Sequence, residues 1–310
     1  MLTTSTYLQL KQLVHASELV VFVGGGLSSH VYHSWAELIR NLCNECDVPQ
    51  PGRAKSNDPN HLMKKADKCR TANISKYREY MRKHFAPAPV YRRRAYGFLA
   101  KMPFKAFVTT NFDPMLEDEL RNCRPGQLRI WPYPDLDILK MAPRDNTPVF
   151  YLHGKINSDM LESVDRLVLG LEEYELAYAS QSNSGPVAGF LQQLFTHQRV
   201  LFLGCGLREP LMRRILNSCK GTRSRIGRKG EHFAFLPHER KPQGTSGNSE
   251  IDCEAEALQD NDMRECGIDI LRYDEKDRFH STVDDILQDL LIPPRGILPS
   301  VSAPMSGEEN

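Results

Sequence analysis

The hydrophobic pattern of the chain alternates between two kinds of segment. Glu18 to Val23 (ELVVFV), Phe107 and Val108 at the head of FVTTNFD, Pro148 to Leu152 (PVFYL) and Arg199 to Leu203 (RVLFL) are short continuous apolar runs. They lack the polar alternation of a half-exposed strand and predict buried strands of a parallel sheet. His232 to Leu236 and Ile268 to Leu271 add two further strands, and Leu167 to Leu169 reads as a short one. Between these runs apolar residues recur at helical spacing: Tyr7, Leu10, Leu13 and Val14; Trp35, Leu38, Ile39, Leu42, Cys43 and Cys46; Val187, Phe190, Leu191, Leu194 and Phe195; Leu211, Met212, Ile215, Leu216 and Cys219; Phe279, Val283, Ile286, Leu287 and Leu290. Glu172 to Tyr178 predicts a helical turn and Glu254 to Cys266 a helix, while 121–147, rich in proline and charge around Trp131 and Tyr133, yields no assignment.

This order predicts an α/β fold with a Rossmann-like parallel sheet and helices on both faces. Residues 60–102 read as several helices, ending in Tyr91, Ala95, Phe98, Leu99 and Met102, where a single crossover helix would suffice. They predict a helical insertion at about 47–104 beside the sheet, placed to serve as a lid. The expected organisation is one domain over 1–292, a mobile loop in PQGTSGN (242–248) and a disordered tail over 293–310.

The polar chemistry sits where strands hand over to helices. FVTTNFD places Asn111 and Asp113 at such a junction, where open α/β sheets bind ligands. Gly24, Gly25 and Gly26, then Ser28 and Ser29, follow the first strand and precede the Trp35 helix. That arrangement lets backbone N–H groups approach a phosphate; a tight structural turn is the other reading, and the extra serines favour phosphate or dinucleotide binding. His153-Gly154 closes the third run, and Gly204-Cys205-Gly206 the fourth. In a parallel sheet these ends share one edge, so the four sets converge on one cleft.

Composition narrows the classes. Forty Lys plus Arg balance 39 Asp plus Glu, leaving no net field to attract nucleic acid or an anionic membrane. The basic stretch Lys220 to Gly230 reads as a flexible surface loop and the run Arg92 to Arg94 as a solvated helix face, so direct nucleic-acid binding is not expected. There is no apolar run long enough to span a bilayer, and MLTTSTYLQLKQL lacks the regions of a signal peptide, which predicts a soluble, cytoplasmic protein without a membrane partner. Eight irregularly spaced cysteines fit reduced thiols, and Cys43 and Cys46 share an apolar helix face, which predicts core packing rather than a zinc site.

With these strand ends in view, the chain resembles the SIR2-like family, the divergent sirtuin branch that includes NAD-cleaving effectors of antiviral defence. FVGGGLSS with Ser34-Trp35 is similar to the family's NAD loop, TTNFD to its catalytic T-x-N-[YF]-D, YLHG to its catalytic H-G, LFLGCGLREP to its second glycine loop, and GIDILRY with the closing helix to its usual end. The resemblance implies NAD+ as substrate, with Gly24, Gly25, Gly26, Ser28, Ser29 and Thr110 around the dinucleotide and Gly204 and Cys205 on the adenosine side. It implies that Asn111 and Asp113 hold the nicotinamide ribose, Asn111 also orienting a water, and that His153 acts as a base on a ribose hydroxyl or helps to activate the nucleophile. Residues 155–200 contain no cysteine, so the zinc module of deacetylating sirtuins is missing and no metal is expected; Thr110 stands where those enzymes have glutamine. The activity so implied is hydrolysis of NAD+ to nicotinamide and ADP-ribose by a homo-oligomer or filament, activated by assembly or by a partner such as a HerA-type ATPase or an Argonaute-like protein. A non-catalytic NAD or ADP-ribose binding module and an NAD-dependent deacylase are the other readings.

Overall fold

A computed structural model describes residues 5–50, 58–85, 94–141, 146–156, 161–179, 184–207, 210–227, 232–239, 251–275 and 281–294. The continuous apolar runs form strands covered on both faces. β1 (Leu19–Val23), β2 (Ala106–Thr109) and β4 (Thr147–Tyr151) are buried at every position, and β5 (Arg199–Leu203), β6 (His232–Pro237) and β7 (Ile268–Tyr273) complete the run toward the other edge. β3 (Leu128–Pro132) forms the opposite edge. The sheet order is β3-β4-β2-β1-β5-β6-β7, with every pairing parallel. β1 lies between β2 and β5, in register Val20–Ala106 and Val20–Val200. The strands β2 to β4 lie to one side of β1 and β5 to β7 to the other, so the switch point of the sheet falls between β1 and β5.

Two helical layers cover the sheet. On one face α1 (Ser5–His15), α5 (Arg94–Lys101), α6 (Met115–Cys123) and α11 (Ser281–Leu290) bury Leu10, Leu99, Leu120 and Leu287 against Val21, Phe107 and Leu201. On the other face α7 (Leu171–Tyr178), α8 (Pro186–His197), α9 (Pro210–Arg225) and α10 (Cys253–Glu265) bury Tyr178, Leu191, Ile215 and Met263 against Phe22, Phe150 and Phe202. Burial of side chains of this size is worth about 1.5–3 kcal/mol each. A third core joins α2 (Trp35–Glu45), α3 (Pro59–Ala72) and α4 (Ile74–His84) to Phe112, Ile156 and Leu167 beyond the strand ends. α2 starts at a capping box in which Ser34 accepts from Glu37 N and Glu37 accepts from Ser34 N, an arrangement worth about 1 kcal/mol. Cys43 and Cys46 are buried in this third core, where the Cys69 thiol lies 3.7 Å from Cys43 Sγ.

Three sequence expectations need correction or completion. Leu167–Leu169 is not a strand; it follows a 3-10 turn (Leu161–Arg166), with Leu167 and Leu169 in the third core and Val168 in the core under α7 and α8. The basic stretch at 220 is not a surface loop, because α9 continues through Arg225 and buries Arg223, whose guanidinium donates to Phe195 O and Gln198 O at the end of α8. The unassigned stretch after α6 holds β3, an edge strand with every residue at least partly exposed. Arg92, Arg93, residues 228–230, the loop 242–248 and the tail from 295 lie outside the described residues.

The ends of β1 and β5 are joined backbone to backbone. Gly24 N donates to Leu203 O at 2.8 Å and Gly26 N to Gly204 O at 3.0 Å. A Cβ on Gly24 would lie 2.6 Å from Gly204 O, and one on Gly26 would lie 2.9 Å from it, whereas a Cβ on Gly25 would meet only Asn111 Oδ1 at 3.8 Å. Gly26→Ala is therefore expected to destabilise the fold by about 1–3 kcal/mol, as overpacking against fixed backbone does, and Gly25→Ala to leave stability unchanged or raise it by up to about 1 kcal/mol. Urea unfolding of the two variants beside the parent measures this; equal midpoints for the two variants would contradict it.

Candidate active site

At the carboxyl edge of the sheet the loops after β1, β2 and β4 line a cavity of about 910 Å³, within the roughly 300–1,000 Å³ usual for small-molecule sites; the described residues of the loop after β5 do not reach it. Of the residues singled out from sequence, Gly25, Ser28, Thr110, Asn111, Asp113 and His153 line it. Gly24, Gly26 and Gly204 form the loop–loop contact described above. Ser29 turns its hydroxyl to Gly26 O at 2.9 Å, and Cys205 rests its thiol near Leu203 O and Phe22 O.

The loops are tied to one another before any ligand arrives. Thr109, at the end of β2, donates to Val23 O at 2.8 Å and accepts from Asn111 N at 3.0 Å, which fixes the bend that presents Asn111. The next strand end is linked to it by Leu152 N to Thr109 O at 2.8 Å and Ile156 N to Phe112 O at 3.2 Å. Below them Glu117 of α6, buried, pairs with Lys155 just after the His153-Gly154 turn and with Arg121. Asn111 and His153 thus hang from one braced frame.

Ser28 is the hub of the polar network. Its hydroxyl donates to Asp113 Oδ2 at 3.0 Å and receives Asn111 Nδ2 at 3.3 Å; with its own proton so committed, it also accepts from the Tyr96 hydroxyl at 2.7 Å. The second carboxylate oxygen of Asp113 caps α6 by accepting from Met115 N at 3.1 Å. Asp113 is 3% exposed, and burial lifts its carboxyl to about 6 in spite of the bonds from Ser28 and Met115. His153 has the opposite displacement: its surroundings hold the imidazole down at about 4, so it is neutral near pH 7. Its Nε2 meets the Tyr178 hydroxyl at 2.8 Å.

The remaining wall is largely apolar and aromatic, with His33, Asp58, Asn60, Glu175 and Arg214 as its polar members. Tyr32, Trp35, Met63 and Phe85 come from the third core and its flanks, and Leu169 and Tyr174 from the segment after His153. An amide, a hydroxyl, a carboxylate and a neutral imidazole in such a water-poor cleft suit the binding of sugar hydroxyls and the removal of a proton. Among the described residues no three His, Cys, Asp or Glu side chains are placed to hold a metal ion, and no helix is long and apolar enough to cross a membrane. Thr109, Tyr96 and Tyr178 did not stand out in the sequence. Thr109 adjoins the motif that carries Asn111, but Tyr96 and Tyr178 sit on helix faces that read as core.

The elevated Asp113 carries a pH signature. An acid held above its ordinary 3.8 leaves the native state with more bound protons than the unfolded chain between that value and about 6, so its contribution to stability is lost as pH rises through about 6. Asp113→Asn removes this penalty. Relative to the parent, the variant should gain about 2 kcal/mol of unfolding free energy between pH 4.5 and 7.5. Denaturant curves at both pH values test this, and parallel shifts of the two proteins would refute it.

A family model described as SIR2-like domain matches residues 105–259, half of the chain, from the start of β2 through both the His153 turn and the second glycine loop. A solved structure described as "Structural Basis for the Mechanism and Regulation of Sir2 Enzymes" aligns with 93% of this chain and 99% of that one, at 12% identity and a TM-score of 0.44. No curated protein matches the chain. The match to the family model, over half of the chain and including the ends of β2, β4 and β5, makes the chain a member of the SIR2-like domain family.

Proposed function

We propose that this chain is an NAD+ glycohydrolase, cleaving the bond between nicotinamide and ribose with water to give nicotinamide and ADP-ribose. The observation that carries the reading is the meeting of Asn111, Ser28, Asp113 and a neutral His153 in one cavity beside the switch point of the sheet. Membership of the SIR2-like domain family supports NAD+ as the substrate. Glycosyl transfer of this kind passes through an oxocarbenium-like state, favoured by hydrogen bonds to ribose hydroxyls that strengthen as positive charge develops.

In this reading Asn111 and Asp113 hold the nicotinamide ribose. The Ser28 hydroxyl keeps their side chains in register, so its role is more that of a brace than of the phosphate contact expected from sequence. Thr110 and Gly25 face the dinucleotide from the cavity wall. Gly24, Gly26, Ser29, Gly204 and Cys205 shape the two loops toward its phosphate and adenosine portions. His153, uncharged at neutral pH, takes the proton released as the hydroxyl or the attacking water reacts. One water is consumed and one proton released for each NAD+ cleaved. Assembly into a homo-oligomer or filament, activation by a partner such as a HerA-type ATPase, and a part in antiviral defence complete the proposal on the strength of the family resemblance.

Incubation of size-fractionated protein with NAD+, followed by chromatography, should yield nicotinamide and ADP-ribose without any acylated peptide. Asn111→Ala and His153→Ala should lower the rate by about 100- to 10,000-fold, the usual contribution of positioned acid–base groups. Nicotinamide release that required an acylated peptide would make the protein a deacylase. Tight NAD+ binding with no release in any assembly fraction would make it a binding module.

A further inference from the structure

The geometry assigns a role to Tyr178 that family membership does not: we propose that it is a positioning residue, whose hydroxyl accepts from His153 Nε2–H and so leaves Nδ1 as the unprotonated nitrogen. This deepens the hydrolase reading and rests on it for the chemistry that Nδ1 performs.

The contact is short and half-buried, with the tyrosine side wholly enclosed. Tyr178 is 0% exposed and its hydroxyl lies 2.8 Å from His153 Nε2. The rings of Tyr178 and Tyr174 stack with centroids 4.4 Å apart, and the imidazole meets both edge-on, at interplanar angles of 73° and 70°. One turn of α7 separates the two tyrosines, so a single helix face supplies both the wall and the hydrogen bond.

Neither partner is free to drift. The main chain of His153 is held by Val168 N, which donates to its carbonyl at 2.9 Å. At its start α7 is anchored to α3: Asp67 accepts from Leu171 N at 3.0 Å, and Arg70 pairs with Glu173. The orientation of the ring is then the freedom left to His153, and the bond to Tyr178 removes it. A neutral imidazole carries one proton, on either nitrogen, and the partner of one nitrogen decides the state of the other. A base must present a lone pair to its substrate. With Nε2 engaged by Tyr178, that lone pair belongs to Nδ1, so the proton sits on Nε2 and the tyrosine oxygen accepts it.

Long-range proton–nitrogen NMR of the ring nitrogens reads the tautomer directly, with the His153 signals assigned by their loss in His153→Ala. The parent protein without nucleotide should show His153 as the Nε2–H form. Tyr178→Phe should turn it into a mixture of tautomers. The same variant should lower kcat by about 10- to 100-fold, part of the ~100- to 10,000-fold that a positioned base supplies, while KM for NAD+ stays within about twofold. A proton on Nδ1 in the parent would overturn the assignment, and that spectrum needs no variant, so it decides even if Tyr178→Phe fails to fold. An unchanged tautomer and unchanged kcat in the variant would overturn it as well. Absence of NAD+ cleavage by the parent in every assembly state would remove the hydrolase reading alone, because the tautomer is measured without turnover.

Discussion

The carbonyl oxygen of Gly204 occupies the space that a side chain on Gly24 or Gly26 would need. This contact, in which two loops touch through backbone alone, governs the layout of the cleft. It holds the ends of β1 and β5 together across the switch point, so the space that remains lies beside it, toward β2 and β4. Gly204 itself sits at φ +64°, a conformation that glycine adopts without steric cost. The glycines that announce a nucleotide loop thus serve in large part to seat one loop on another, and only Gly25 is left facing the cavity.

On the open side the fold spends buried polar groups on one another and leaves few to be satisfied by a ligand. Ser28 draws an amide, a carboxylate and a phenol into one network, and Thr109 stitches β1 to the bend that carries Asn111. Such a network is rigid because each lost partner would strand a buried polar atom, at a cost of about 1–3 kcal/mol. The same burial that demands these bonds also sets the protonation of the site. It raises Asp113 and lowers His153, so the two groups approach neutrality from opposite directions.

The parts of this architecture legible in the sequence are those with a strong one-dimensional signal. Leu19 to Val23 and Val200 to Leu203 carry no polar position, the mark of strands buried on both faces. The four polar strand ends followed from that assignment, since parallel strands must end at one edge. β3 escaped notice because an edge strand is half exposed and its LRIWP mixes charge with aromatics before a proline. The basic run at 220 misled for a related reason: Arg223 is buried by capping carbonyls of α8, a partner almost thirty positions distant that composition cannot reveal. Tyr96 and Tyr178 were hidden more deeply. Each occupies an apolar helix face where any large hydrophobic residue would satisfy the pattern, and only the hydroxyl, visible once the helix is packed, separates a site residue from core.

That distinction bears on how the cleft is built around His153. The imidazole is supplied by the sheet, but the groups that orient it come from α7, which is fastened through Asp67 and Arg70 to α3 and so to the third core. The third core also contributes Tyr32 and Phe85 to the wall. The helices outside the sheet are therefore more than a cover over a finished site. A sheet edge can place a histidine at a strand end, yet it offers nothing on the far side of the ring to choose between its nitrogens. The Arg70–Glu173 pair and the Asp67 bond to Leu171 therefore join α3 to the helix that orients His153, while Asn111 is held by Thr109 and Ser28 within the frame of the sheet.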